Sequence, residues 1–159
     1  MFAQIASAQT ASLPTVAQLL GTWQLVSVEG SVTGQDEPTL PDGAHPVGFL
    51  MYQADGHMCA VLTNGDTQAE DLTKATDAEK IAHSQSFSAY CGTLRLDPEN
   101  STMYHCPSVA LSPSFVGSTQ PRPFRMEGDK LIITMTKGLR DPKMEKLVLV
   151  WQRAKNSAQ

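Results

Sequence analysis

The hydrophobic pattern of this chain is that of strands. From Thr22 onward, apolar and β-branched residues gather into eight runs, at about 22–29, 46–53, 57–63, 86–96, 102–111, 121–127, 130–136 and 145–153. Turn residues separate them. The connections alternate in length. Asp55-Gly56, Asp97-Pro98-Glu99-Asn100 and Glu127-Gly128-Asp129 are tight, whereas 30–44, 64–85, 112–120 and 137–144 are long. In an up-and-down antiparallel sheet, alternate connections lie at opposite ends. The tight turns therefore form a floor and the long loops a mouth. Eight strands closed this way make a barrel wide enough for one small ligand. Two helical pieces interrupt the β pattern. Leu13 to Leu20 reads as a short turn leading into Gly21. Thr76 to His83 reads as a short helix, with Glu79 completing a capping box on Thr76. That helix makes 64–85 a candidate lid. The expected organisation is an all-β, eight-stranded antiparallel barrel over 15–155, a loose arm over 1–14 and a tail over 156–159.

Composition narrows the class of partner. The chain has 159 residues, 41% of them hydrophobic, and no apolar run approaches the ~20 residues of a membrane span. Residues 1–73 carry eight acids and no Lys or Arg, while all 12 bases follow residue 73. A net charge of −4 with no basic face argues against nucleic acid as partner. The N-terminus has no positive region of the kind that opens a signal peptide. Three cysteines, Cys59, Cys91 and Cys106, match no zinc spacing and read as free thiols in a reducing, cytoplasmic setting. The four histidines lie in four separate segments, so neither a metal nor another cofactor is expected.

Side-chain alternation assigns the inner wall. Trp23 at the floor puts Leu25, Ser27 and Glu29 on one inward face. A two-residue turn at Asp55-Gly56 turns Phe49, Met51, Met58 and Leu62 inward and Tyr52, His57 and Cys59 outward. A two-residue turn at Pro98-Glu99 opposes Leu94 to Met103, Gly92 to His105 and Tyr90 to Pro107, all inward. The same register opposes Cys91 to Cys106 on the outer wall, where mild oxidation would link them and spare Cys59. Phe124, Met126, Leu131, Ile133 and Met135 face in, with Arg122 near the mouth. The last strand is apolar on both faces, so its parity stays open. The resulting pocket has apolar walls and few polar members: Ser27, Glu29, Tyr90, His105 and Arg122. That is the make-up of a small-molecule site.

Leu20-Gly21-Thr22-Trp23 resembles the Gly-x-Trp signature of lipocalins, and Trp151-Gln152-Arg153 resembles the last-strand segment whose Arg packs over that Trp. Gly21 to Ser27, Tyr52 to Met58, Phe115-Val116-Gly117 and Gly128 to Leu131 are similar to the compact lipocalin-like domains of bacteria and fungi. The resemblance covers about residues 16–154. It implies a calycin-type barrel around a small, mostly apolar molecule, with Trp23 and Arg153 as a structural floor. Such domains include ligand carriers as well as isomerases and cyclases of specialised-metabolite pathways.

Two functions follow. The first is a cofactor-free isomerase, cyclase or dehydratase acting on a polyketide- or terpenoid-like substrate. Glu29, His105 and Tyr90 would move protons or polarise a carbonyl, and Ser27, Phe49, Met51, Met58, Leu62, Arg122, Phe124 and Met135 would hold the substrate. The second is a carrier for a small hydrophobic ligand. Each polar residue also has an ordinary alternative: Glu29 and Arg122 solvated at the rim, and His105 and Tyr90 hydrogen-bonded in the wall. A monomer or a homodimer fits either function.

Overall fold

The computed structural model describes residues 13–66, 71–136 and 142–155. The expected arm lies almost wholly outside this set, and the tail at 156–159 entirely so. Eight strands form a closed antiparallel barrel in chain order: β1 (Gly21–Val32), β2 (Pro46–Tyr52), β3 (His57–Asn64), β4 (Phe87–Asp97), β5 (Thr102–Ala110), β6 (Gln120–Glu127), β7 (Lys130–Met135) and β8 (Met144–Arg153). The short helices are α1 (Val16–Leu19) and α2 (Asp77–Ser86). The Thr76–Glu79 capping box forms, with the Thr76 N–H donating to the Glu79 carboxylate at 2.7 Å. No residue of α2 is buried.

The floor is built around orphaned carbonyls. A one-turn helix such as α1 leaves its last C=O groups without partners. Arg153 supplies them, donating to Leu20 O at 2.7 Å and to Gln18 O at 2.8 Å. The Trp23 indole donates to Leu19 O at 2.8 Å. The Arg153 guanidinium lies 4.1 Å over the Trp23 ring, and Trp23 is fully buried. Gly21 makes the joint possible. Its φ is +113°, and a Cβ there would crowd the same guanidinium.

Turn length and bulges decide which side chains enter the barrel. In β1 the pairing with β8 slips between Leu25 and Ser27. The extra residue reverses the alternation. Val28 and Gly30 turn inward, Glu29 is exposed, and Ser27 is only half buried. The inward placement of Glu29 and Ser27 is thereby corrected.

At the first hairpin, Gln53 pairs with His57, its N–H donating to the His57 carbonyl. Three residues, 54–56, make the loop, with Gly56 at φ +87°. Three-residue loops of this kind place a left-handed residue last. The odd count shifts β2 by one position against the expectation of two. Leu50 now opposes Ala60, and Tyr52 opposes Met58. Leu50 and Tyr52 are buried, Phe49 is 48% exposed and Met51 is half-buried on the outer face.

The β4–β5 turn spans four residues, because Asp97 pairs with Thr102. Leu94 therefore opposes His105, and Leu96 opposes Met103. This shift of two residues preserves parity, so Tyr90, Gly92, Met103 and His105 remain on the buried face. Cys91 does not meet Cys106. It is paired across β3–β4 with Cys59, and those two form a disulfide that leaves Cys106 free. The expected Cys91–Cys106 pair and the three free thiols are corrected accordingly. In β6–β7, Phe124 opposes Ile133 and Met126 opposes Leu131, and Phe124, Leu131 and Ile133 are buried, in keeping with the inward faces expected for them. The open parity of β8 resolves with Leu149 and Trp151 buried inward.

Candidate functional site

Above the buried floor the barrel encloses a cavity of about 410 Å³ that opens among the long loops. Leu50, Leu62, Ile133, Met135, Leu147 and Leu149 line it, and Trp151 and Phe115 close its sides. Ser84 and Gln85 bring the end of α2 to its rim. Against these apolar walls stand Tyr90, His105 and Arg122, contributed by the inward faces of β4, β5 and β6. Asp42 joins from the β1–β2 loop.

The polar groups form one linked cluster. The Tyr52 hydroxyl is 2.7 Å from His105 Nε2, and the Tyr90 hydroxyl is 2.9 Å from His105 Nδ1. His105 is 1% exposed, and Arg122 is 3% exposed. Burial, reinforced by the Arg122 charge, holds the His105 pKa well below the ordinary histidine value, so the ring is neutral. Burial raises both tyrosines. For Tyr52 the neighbouring Tyr90 adds to the rise. For Tyr90 the Arg122 charge and its side-chain hydrogen bond oppose it. All three groups are uncharged near neutral pH.

A neutral imidazole has one N–H and one bare nitrogen, which orients the whole cluster. Tyr52 is enclosed, and His105 is the only hydrogen-bond partner of its hydroxyl among the described residues. Its O–H must therefore donate to Nε2, or it would be a buried donor without an acceptor. The imidazole proton then sits on Nδ1 and is donated to the Tyr90 oxygen. That leaves the Tyr90 O–H to point into the cavity. Tyr90 is held there by Phe115, whose ring centroid lies 5.5 Å away. The arrangement presents a hydroxyl donor beside a guanidinium in a dry, apolar enclosure. It can hold an oxygen atom and stabilise negative charge on it.

Of the residues proposed from the sequence, Tyr90, His105, Arg122, Leu62 and Met135 line the cavity. Met58 and Phe124 are buried in the core beside it but do not line it. Glu29, Ser27, Phe49 and Met51 lie outside it. Among the described residues, no three His, Cys, Asp or Glu side chains gather as metal ligands do.

A family model described as a lipocalin-like domain matches residues 20–154. The chain belongs to this family. No curated protein matches this lipocalin-like domain. Among solved structures it is similar to a lipoprotein, YedD, from Klebsiella pneumoniae subsp. pneumoniae. That likeness has 15% identity and a TM-score of 0.40, covering 90% of this chain and 77% of that one. The lipocalin-like barrel suggests binding of a small hydrophobic ligand.

Three site residues of this lipocalin-like domain escape sequence reasoning. Tyr52 is turned inward by one extra loop residue, and the glycine at position 56 is compatible with either loop length. Trp151 sits on a strand apolar on both faces, where periodicity says nothing. Asp42 comes from an irregular loop, flanked by Pro41 and Gly43, that carries no period at all.

Proposed function

We propose that the barrel binds a small, mostly apolar molecule whose carbonyl-type oxygen lies against Tyr90 and Arg122. The observation that carries this reading is the oriented Tyr52–His105–Tyr90 chain, which ends in a donor inside an otherwise apolar cavity. Apolar walls exclude water and contribute most of the affinity. The two donors fix the orientation of the ligand.

A catalytic use of the same site is favoured by one further observation: the donors suit an oxyanion better than a neutral oxygen. An enolate formed during an isomerisation, cyclisation or dehydration would be stabilised there without a cofactor. In this reading Tyr90 and Arg122 polarise the carbonyl, and His105 sets the direction of the Tyr90 proton rather than acting as a base. Glu29 has no part. The Cys59–Cys91 bridge supports an oxidising compartment, where such bonds persist, over the cytoplasmic setting expected from the sequence.

The test uses Tyr90→Phe, measuring binding and turnover together on a panel of apolar ketones and enones. Weaker binding with no turnover in either protein supports a carrier. Binding retained with turnover lost supports the enzyme. Unchanged binding and no turnover in either protein would remove Tyr90 from the site.

A further inference from the structure

We infer that the ligand carries a carboxylate, held between Arg122 and Tyr90 with its apolar body filling the rest of the barrel. This deepens the proposed binding of an apolar molecule and rests on it. The argument is one of charge balance. Arg122 is 3% exposed and projects from the inward face of β6. Its side chain donates to the carbonyl of the adjacent Pro121, at 2.9 Å, and to the neutral Tyr90 hydroxyl, neither of which carries a charge. Among the described residues no carboxylate lies within ion-pair distance of it. Asp42 lines the same cavity but forms no ion pair with Arg122. A buried guanidinium is ordinarily paired, because burying an unpaired charge is costly.

The neighbours do not supply the missing charge. Tyr52, Tyr90 and His105 are linked by hydrogen bonds that leave all three neutral, so the cluster carries one net positive charge. Pro121 and Pro123 flank Arg122 and restrict the backbone that presents it. The Tyr90 O–H points the same way as the charge. A guanidinium and a hydroxyl donor side by side match the two oxygens of a carboxylate. Leu62, Ile133, Met135, Leu147 and Leu149 form an apolar stretch of wall that offers nothing to a second charged group, and the other polar lining includes Asp42, with Ser84 and Gln85 at the rim. The ligand class is therefore an amphiphile with one compact anionic head and an apolar body that fits within about 410 Å³.

The experiment titrates the full chain at pH 7.5 with decanoic acid, 1-decanol and methyl decanoate. Calorimetry gives affinity, and tryptophan fluorescence reports occupancy through Trp151, which lines the cavity. The acid should bind at least tenfold more tightly than the alcohol or the ester. In Arg122→Gln that preference should vanish while the alcohol still binds, and Arg122→Lys should restore part of it. Tyr90→Phe should reduce the preference several-fold. If Arg122→Gln does not fold, the wild-type comparison and Tyr90→Phe decide the matter alone. Equal binding of all three probes overturns the anionic head and leaves the apolar-ligand reading standing. Binding of none of them to folded protein overturns both.

Discussion

Tyr52→Phe isolates the orienting chain from the cavity it serves. Tyr52 is 2% exposed and does not line the cavity, so its hydroxyl reaches a ligand only through His105. The phenylalanine ring fills the same space and removes one oxygen. His105 Nε2, 2.7 Å away, then loses its donor. A buried acceptor left without a partner costs about 1–3 kcal/mol. For a domain of this length that corresponds to a fall in melting temperature of roughly 2–12 °C. The His105 proton is no longer confined to Nδ1, because either tautomer now leaves one ring nitrogen unpaired. When it moves to Nε2, Tyr90 donates to Nδ1 and its proton leaves the cavity. Affinity for an oxygen-bearing ligand should therefore fall several-fold, although the substituted residue touches no ligand. Urea denaturation reads the first effect and calorimetric titration with decanoic acid the second. Nitrogen-15 NMR of the imidazole reads the tautomer directly. An imidazole protonated on Nε2 in the wild-type protein, or a variant of unchanged stability, would refute the proton inventory.

Trp23→Ala should cost about 3–5 kcal/mol, because it removes a fully buried ring and the donor to Leu19 at once; an unchanged urea midpoint would contradict the floor described above. Reduction of Cys59–Cys91, which spans 32 positions, should cost about 3–4 kcal/mol, checked by melting with and without reductant. Ligand affinity should survive that reduction, because the pair faces away from the cavity, and thiol counting without reductant should find Cys106 alone. The depressed pKa of His105 predicts an acid-sensitive fold. Below the unfolded histidine value of about 6.5, the unfolded chain binds a proton that the folded chain refuses. Stability should therefore be full above that pH and fall as pH drops through the window beneath it. His105→Gln should flatten this part of the stability–pH curve, and an unaltered slope would sink the assignment.

The strands, their order and the two ends of the barrel were legible because turn chemistry and apolar runs are local signals. Inward and outward faces are legible only where the turn has the length its residues suggest or differs from it by an even number. The β4–β5 register slipped by two residues, and Tyr90 and His105 still landed inside. The β2–β3 loop held one residue more than expected, and Tyr52 changed places with Phe49 and Met51 as wall residues. The β1 bulge had no sequence signature. It forms where β1 must match β8, a partner about 120 positions away, and it carried Glu29 out of the barrel. The disulfide joins β3 to β4, whose register is set across a long connection rather than by a tight turn, so no local signal pairs Cys59 with Cys91. What locates the polar cluster is tertiary: four side chains from four strands meet only after the barrel closes.

The seam between the first and last strands sets a schedule for biosynthesis. β2 pairs with β1 only along Gly21–Gln24, whereas β8 pairs with it from Trp23 to Val32. Most of β1 therefore waits for β8 to leave the ribosome. The plug waits as well, since Arg153 must reach Leu20 across 133 positions. Until then the nascent chain exposes an unpaired strand edge and the unburied face around Trp23 and Leu25, the features that invite aggregation. Contacts of such long range also slow folding. The barrel thus cannot close progressively from β1, and a stop codon only a few residues before Arg153 would release a barrel with a shortened seam and no plug.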